Sequence, residues 1–149
     1  MLYSSSGIMT SYLYEDEFNR WMKNAKTTLR SAENDNSSKF YNWACFKAQQ
    51  ASEYAIKAYL RGTGKSSFGH SVSLLLKDLD FDTNLIDLAK KIDKYYIPTR
   101  NTDVWSEGTP EDYYTVEDAN DAILCSQTII KEVEAKWKLL KREWKNEIR

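Results

Sequence analysis

Residues 43–70 read WACFKAQQASEYAIKAYLRGTGKSSFGH, an alanine-rich run that ends in three glycines and the single histidine. Up to Arg61 it contains neither glycine nor proline, and alanine recurs at helical spacing. The predicted helix runs from about Lys39 to Arg61. Phe40, Ala44, Ala48, Ala51, Ala55 and Ala58 trace one stripe, flanked by Trp43, Tyr54 and Tyr59. Alanines bury little area each, but they let neighbouring helices approach closely, which places this helix at the centre of a bundle. Gly62 and Gly64 then stop it. The sequence Gly64-Lys65-Ser66 imitates the end of a phosphate-binding P-loop. That motif needs a glycine at position 59, where the chain has Tyr59, and it follows a strand rather than a helix. The stretch is a helix stop and a polar turn.

Working outward, the apolar side chains Tyr14, Phe18, Trp21, Met22, Ala25, Leu29 and Ala32 form a helical stripe from Tyr12 to about Ala32. Glu15, Asp16 and Glu17 sit near its start, where the helix dipole favours negative charge. The run ENDNSS (33–38) breaks the pattern and offers Ser37 or Ser38 as the N-cap of the central helix. Downstream, residues 71–79 predict a short helix with Val72, Leu75, Leu76 and Leu79 inward, and Asn84 to Tyr96 predicts a fourth, ended by Pro98. Thr115 with Asp118 three residues on is a capping-box start for a long last helix. Its stripe is Val116, Ala119, Ile123, Ser126, Ile130, Val133, Trp137, Leu140, Trp144 and Ile148. At about 50 Å that helix is longer than a small domain needs, so its final turns are expected to project or to pack on a partner. With only 5 Gly and 2 Pro and no strand-like alternation, the fold class is all-α: an up-and-down bundle of about five helices in a single domain over residues 1–149, with residues 1–9 as a flexible N-terminus.

Composition limits the functions. The net charge of −1, from 21 basic and 22 acidic side chains, argues against a basic coat for nucleic acid but leaves room for a local basic face. Cys45 and Cys125 fall within helical patterns and read as buried, inert thiols. Two cysteines and the single histidine, His70, do not make an ordinary zinc site, and no metal or other cofactor is expected. No apolar run approaches the ~20 residues of a membrane span, and the N-terminus lacks the order of a signal peptide, so no membrane association and a cytoplasmic location are expected.

Three places carry candidate chemistry. His70 caps a helix, bonds a carbonyl or acts as an acid/base, and a lone histidine favours the structural roles. Lys57 and Arg61 lie along one edge of the central helix, with Glu53 nearby. The loop from Tyr95 to Tyr114 groups Tyr95, Tyr96, Arg100, Asn101, Trp105, Tyr113 and Tyr114 with several acids. Aromatic faces and an arginine can stack a base and hold a phosphate, although the acids repel a polyanion. The plainer reading is that these aromatics pin the loop to the bundle or make a dimer contact.

The core Gln50, Ala51, Glu53, Ala55, Lys57 and Ala58, followed by Gly69 and His70 opening a leucine-rich helix, resembles the signature of the HEPN domain family. YYIPTRN (95–101) and YTVEDANDAI (114–123) resemble its stand-alone archaeal and bacterial branch, and the likeness runs over about residues 10–140. The resemblance implies a helical bundle that dimerises, associated with nucleotides or RNA and often with a separately encoded minimal nucleotidyltransferase in a toxin–antitoxin pair. Catalytic members of the family are metal-independent ribonucleases with an arginine followed by four to six residues and a histidine. Here Arg100–Asn101 resembles the opening of that motif, but Trp105, Ser106 and Glu107 occupy the places for its histidine, and Arg61 and His70 have eight residues between them. The expectation is therefore a non-catalytic HEPN binding module, with Lys57, Arg61, His70, Tyr96, Arg100 and Asn101 lining the ligand cleft. The alternatives are a divergent ribonuclease using His70 with Arg61 or Arg100, and a protein-interaction scaffold.

Overall fold

The computed structural model describes residues 13–147. The expected start of the first helix at Tyr12, the N-terminal residues 1–9 and the last stripe residue Ile148 lie outside the described residues. Five α-helices follow one another: α1 (Glu15–Ser37), α2 (Tyr41–Gly62), α3 (Val72–Leu76), α4 (Thr83–Asp93) and α5 (Val116–Glu147), with two single 3₁₀ turns between α4 and α5. No strand occurs among the described residues. α2 is the centre of the assembly and packs against each of the other four helices. Ala44, Ala48, Ala51, Ala55 and Ala58 are all fully buried. Phe40, expected to lead this stripe, is exposed instead, because it is the N-cap.

α1 outruns the expected end at Ala32 by five residues, and neither Ser37 nor Ser38 caps α2. The helix ends in a Schellman turn: the Phe40 N–H donates to the Asp35 carbonyl at 2.8 Å and the Lys39 N–H to Asn36 at 3.0 Å, with Lys39 left-handed at φ 67°. The weak helix formers of ENDNSS are held there by tertiary contacts, Lys47 with Asp35 at 2.8 Å and Asn36 with Asn120 at 2.8 Å. A second Schellman turn closes α2, as the glycines suggested. Lys65 N–H donates to Leu60 at 2.7 Å and Gly64 N–H to Arg61 at 3.1 Å, with Gly64 at φ 73°. Gly62 serves a different end: a Cβ there would lie 2.7 Å from the ring of Trp137, so its bare Cα admits α5.

The short third helix and the fourth are each clipped relative to the pattern. α4 stops at Asp93 rather than Tyr96, and the Asp93 carboxylate serves α3. It accepts from Val72 N–H at 2.6 Å, Ser73 N–H at 3.1 Å, and the Ser71 and Ser73 hydroxyls at 2.8 and 2.6 Å. At α5 the capping box is present: Thr115 N–H donates to Asp118 at 2.9 Å and Asp118 N–H to the Thr115 hydroxyl at 3.2 Å. Val116 is exposed rather than inward. The far end of α5 stays on the bundle at least to Lys141, which pairs with Glu15 of α1. Trp137 is buried there, stacked on Phe18 with centroids 4.2 Å apart.

Candidate functional site

Not all of α2 faces other helices. Asn42, Phe46, Gln49, Glu53 and Lys57 recur at intervals of three and four and so share one face. That face meets loops, not helices. Asn42 Nδ2 donates to the Thr99 carbonyl at 3.0 Å, and Gln49 Nε2 to the His70 carbonyl at 2.9 Å. Glu53, only 2% exposed, has Lys57 Nζ 3.0 Å from Oε2 and His70 Nδ1 3.3 Å from Oε1. Gln50 Nε2 adds hydrogen bonds to Gln49 Oε1 at 2.7 Å and Glu53 Oε1 at 3.3 Å. His70 is thus held twice, by its backbone through Gln49 and by its ring through Glu53.

The loop that brings it there is set by the Schellman turn at Gly64 and by Gly69, whose φ of 107° suits glycine. The Asp93 clamp on α3 then fixes the residues that follow. The His70 ring lies parallel to Tyr96, with centroids 4.7 Å apart and planes 15° from parallel. Arg100 Cζ sits 4.7 Å from the Tyr96 centroid and 4.6 Å from that of Phe46, and its Nε donates to the Tyr96 carbonyl at 3.1 Å. Lys57, Glu53, His70, Tyr96, Arg100 and Phe46 therefore form one continuous chain of contacts.

His70 forms part of the walls of two hollows. On one side a cleft of about 430 Å³ is lined by Lys57, Arg61, Lys65, Phe68 and Gly69 among others; on the other, one of about 290 Å³ involves Asp93, Lys94, Tyr96 and Ile97. Arg61 leans on the Trp21 ring at 4.6 Å and reaches Glu17 at 3.5 Å. The Glu17 carboxyl is held below its usual range, first by the hydrogen bond from Arg20 and then by the positive charges of Arg20 and Arg61. The larger groove between α1 and α5, bounded by Phe18, Met22, Ile130 and the ion pair of Lys26 with Glu134 at 2.5 Å, holds none of this chemistry.

Of the residues expected from the sequence, Lys57, Arg61 and His70 share the first cleft, and Tyr96 and Arg100 join it through the His70 ring. Asn101 stands apart, its amide donating to the Ile97 carbonyl at 2.7 Å as a turn brace. The acidic loop is pinned by its aromatics. Trp105 donates to the Pro98 carbonyl at 2.9 Å and stacks on Tyr113 at 3.9 Å, while Tyr114 packs against the core. Both cysteines are buried, and burial, with Asp118 and Asp121 adding to it, pushes the Cys45 thiol up to about 12. Among the described residues no three His, Cys, Asp or Glu side chains gather as a metal site, and no helix is long and apolar enough to cross a membrane. The sequence pattern marked Lys65 only as part of an apparent P-loop and Glu53 as a flanking charge and signature residue, and it did not mark Gln49 or Phe46; the signal for the three on α2 is their 3–4 spacing with Lys57.

The comparisons agree with this architecture. The model of the HEPN domain family matches residues 18–136. Among solved structures, TT1696 from Thermus thermophilus is 39% identical with a TM-score of 0.78, covering 80% of this chain and 97% of its own. ST0689, described as an archaeal HEPN homologue, is 36% identical with a TM-score of 0.71, covering 80% of this chain and 96% of its own. The HEPN domain protein TM0613 from Thermotoga maritima is 31% identical with a TM-score of 0.63, covering 83% and 98%. No curated protein matches the chain significantly. With the family model spanning most of the sequence and these structures matching about four fifths of it at 31–39% identity, the chain belongs to the HEPN domain family.

Proposed function

We propose that this chain is a non-catalytic, cytoplasmic HEPN binding module for a phosphate-bearing ligand, a nucleotide or RNA, acting as a homodimer alongside a minimal nucleotidyltransferase. One observation carries the ligand class: Lys57, Arg61, Lys65 and His70 line a single cleft in a chain whose net charge is −1. Cations gathered in one concavity of an otherwise balanced surface favour an anion there. The His70–Tyr96–Arg100 stack beside it offers aromatic and guanidinium faces to a base. The test is binding of radiolabelled nucleotides and short RNA to the wild type and to the Arg61→Ala/Arg100→Ala double variant. At least a tenfold loss is expected, since each charge-assisted contact contributes about 1.5–3 kcal/mol. Unchanged affinity in a folded variant sinks the site. The partner is tested separately, by pull-down from native lysate, which is expected to recover a nucleotidyltransferase.

A second reading, a divergent metal-independent ribonuclease, is favoured by one feature. His70 points Nδ1 at a buried carboxylate, the arrangement that orients a histidine whose other nitrogen moves protons. In this reading His70 takes the proton of the attacking 2′-hydroxyl, and Arg61 or Arg100, from the same chain or a second copy, stabilises the phosphorane charge. Cleavage of RNA in EDTA, lost in His70→Ala, is its expected result; intact RNA across a panel of sequences overturns it.

A further inference from the structure

Glu53 is shared between two bases of different kinds. Lys57, with its side chain 12% exposed, carries a permanent charge, whereas His70, with its side chain 59% exposed, carries one only when protonated. With His70 neutral, the buried pair Glu53–Lys57 is balanced and projects little charge into the cleft. Arg61 is likewise engaged by Glu17. Among the described residues Lys65 forms no ion pair, so it offers the cleft a full charge. A singly charged phosphodiester is matched by that lysine. A dianion is not, and the one further positive charge the cleft can generate is the His70 imidazolium.

We propose that the cleft takes a phosphate monoester dianion, and that Glu53 positions His70 so that binding draws a proton onto its ring. This rests on the phosphate-binding reading above. A dianion held by Lys65 occupies the cleft that His70 also lines, while Glu53 Oε1 stays 3.3 Å from the ring's Nδ1. Dianion and carboxylate then flank one imidazole, and both favour its charged form. Facing the ring are Glu53 and Lys57 from α2, Arg61 and Lys65 around the cleft, and Tyr96 under its plane with Arg100 beyond. On the far side are Asp93 and Lys94. Asp93 is already saturated by four donors from residues 71–73, which leaves Glu53, also bonded by Gln50 Nε2 at 3.3 Å, as the acid in contact with the ring.

His70 is the sole histidine, so imidazole resonances in NMR spectra report this site alone. Adenosine 5′-monophosphate serves as the monoester probe and adenosine 3′,5′-cyclic monophosphate as the diester, at pH 7. The monophosphate is expected to bind at least tenfold more tightly, to move the His70 resonances to imidazolium positions, and to take up protons in calorimetry run in two buffers of different ionisation heat. In His70→Gln the proton uptake disappears and the preference for the monoester collapses. Glu53→Gln, where it folds, keeps binding but leaves the His70 resonances where they lie in the free protein. Equal affinity for the two probes, or monoester binding with unmoved His70 resonances, overturns the inference while the phosphate-binding reading stands. Binding of neither probe overturns both.

Discussion

Replacing Lys57 with methionine should cost the protein about 2–4 kcal/mol. The figure follows from what is left behind. Glu53 is 2% exposed and Lys57 12% exposed, and stripping a buried carboxylate of its partner costs about 3–5 kcal/mol. His70 remains 3.3 Å away, but its side chain is 59% exposed, so it offsets no more than the ~1 kcal/mol of a surface pair. For a chain of this size the loss lowers Tm by about 10 °C. Glu53→Gln should cost less, about 1–2 kcal/mol, because the lysine it strands has a flexible stem and can carry its charge to solvent. The Glu53→Gln/Lys57→Met double variant, with neither charge, should return to within about 1 kcal/mol of wild type. Urea denaturation of the four proteins at one pH measures all these values, with equal m-values showing that the unfolded states are comparable. A coupling energy of about 2–6 kcal/mol is expected, the sum of the single losses less that of the double variant. If Lys57→Met lies within about 0.5 kcal/mol of wild type, or if the single effects simply add, Glu53 is not the desolvated charge it is taken for here.

Gly62→Ala puts a methyl 2.7 Å from the Trp137 ring that stacks on Phe18. Overpacking of about 1–3 kcal/mol, less the ~1 kcal/mol that alanine gains in a helix, leaves a net loss of up to about 2 kcal/mol in thermal melts. Lys39→Gly should do the reverse and raise stability by about 0.5–1 kcal/mol, since Lys39 holds φ 67° at a position suited to glycine; an unchanged or lower melting temperature refutes that account. Burial, foremost among the causes, raises the phenol pKa of Tyr54, Tyr59, Tyr95 and Tyr114, the last to about 12, and that of the Cys45 thiol to about 12. Groups with raised folded values lend stability that is whole below their unfolded values and lost above them. Alkaline unfolding should therefore set in above about pH 10 for the tyrosines, followed by far-UV circular dichroism with phenolate absorbance. Phenolate absorbance that develops fully before the helical signal falls refutes the assignment.

How far the sequence revealed this depends on which residues carry each feature. The helix ends written in side-chain chemistry were legible: the Thr115–Asp118 box and the glycine at position 64 lie where the pattern put them. Ends set by tertiary contacts were not. Lys39 adopts a glycine conformation without being one, and Asp93, the last residue of α4, uses its carboxylate to bind the start of α3. No local propensity records either choice. The cluster of Lys57, Arg61 and His70 was legible because basic residues near a helix stop invite attention. Glu53 was not, since a glutamate beside a lysine four residues on is the commonest kind of surface pair, and only its burial changes its meaning.

That burial bears on why the face exists. A helix at the centre of an alanine-packed bundle has no need of Asn42, Gln49 and Glu53, all at most 2% exposed. Apolar side chains of like volume would fill the same space without desolvating an amide or a charge. Each of these three polar groups instead ties down a segment outside the bundle: Asn42 holds Thr99, next to Arg100, while Gln49 and Glu53 hold His70. The alanine faces of α2 make the bundle, and the polar face fixes the positions of two loops relative to each other. Stability alone gives no reason to hold His70 and Arg100 on either side of Tyr96's neighbourhood through buried polar groups. A site that must present an imidazole and a guanidinium together does, and local rules are broken at such sites for that reason.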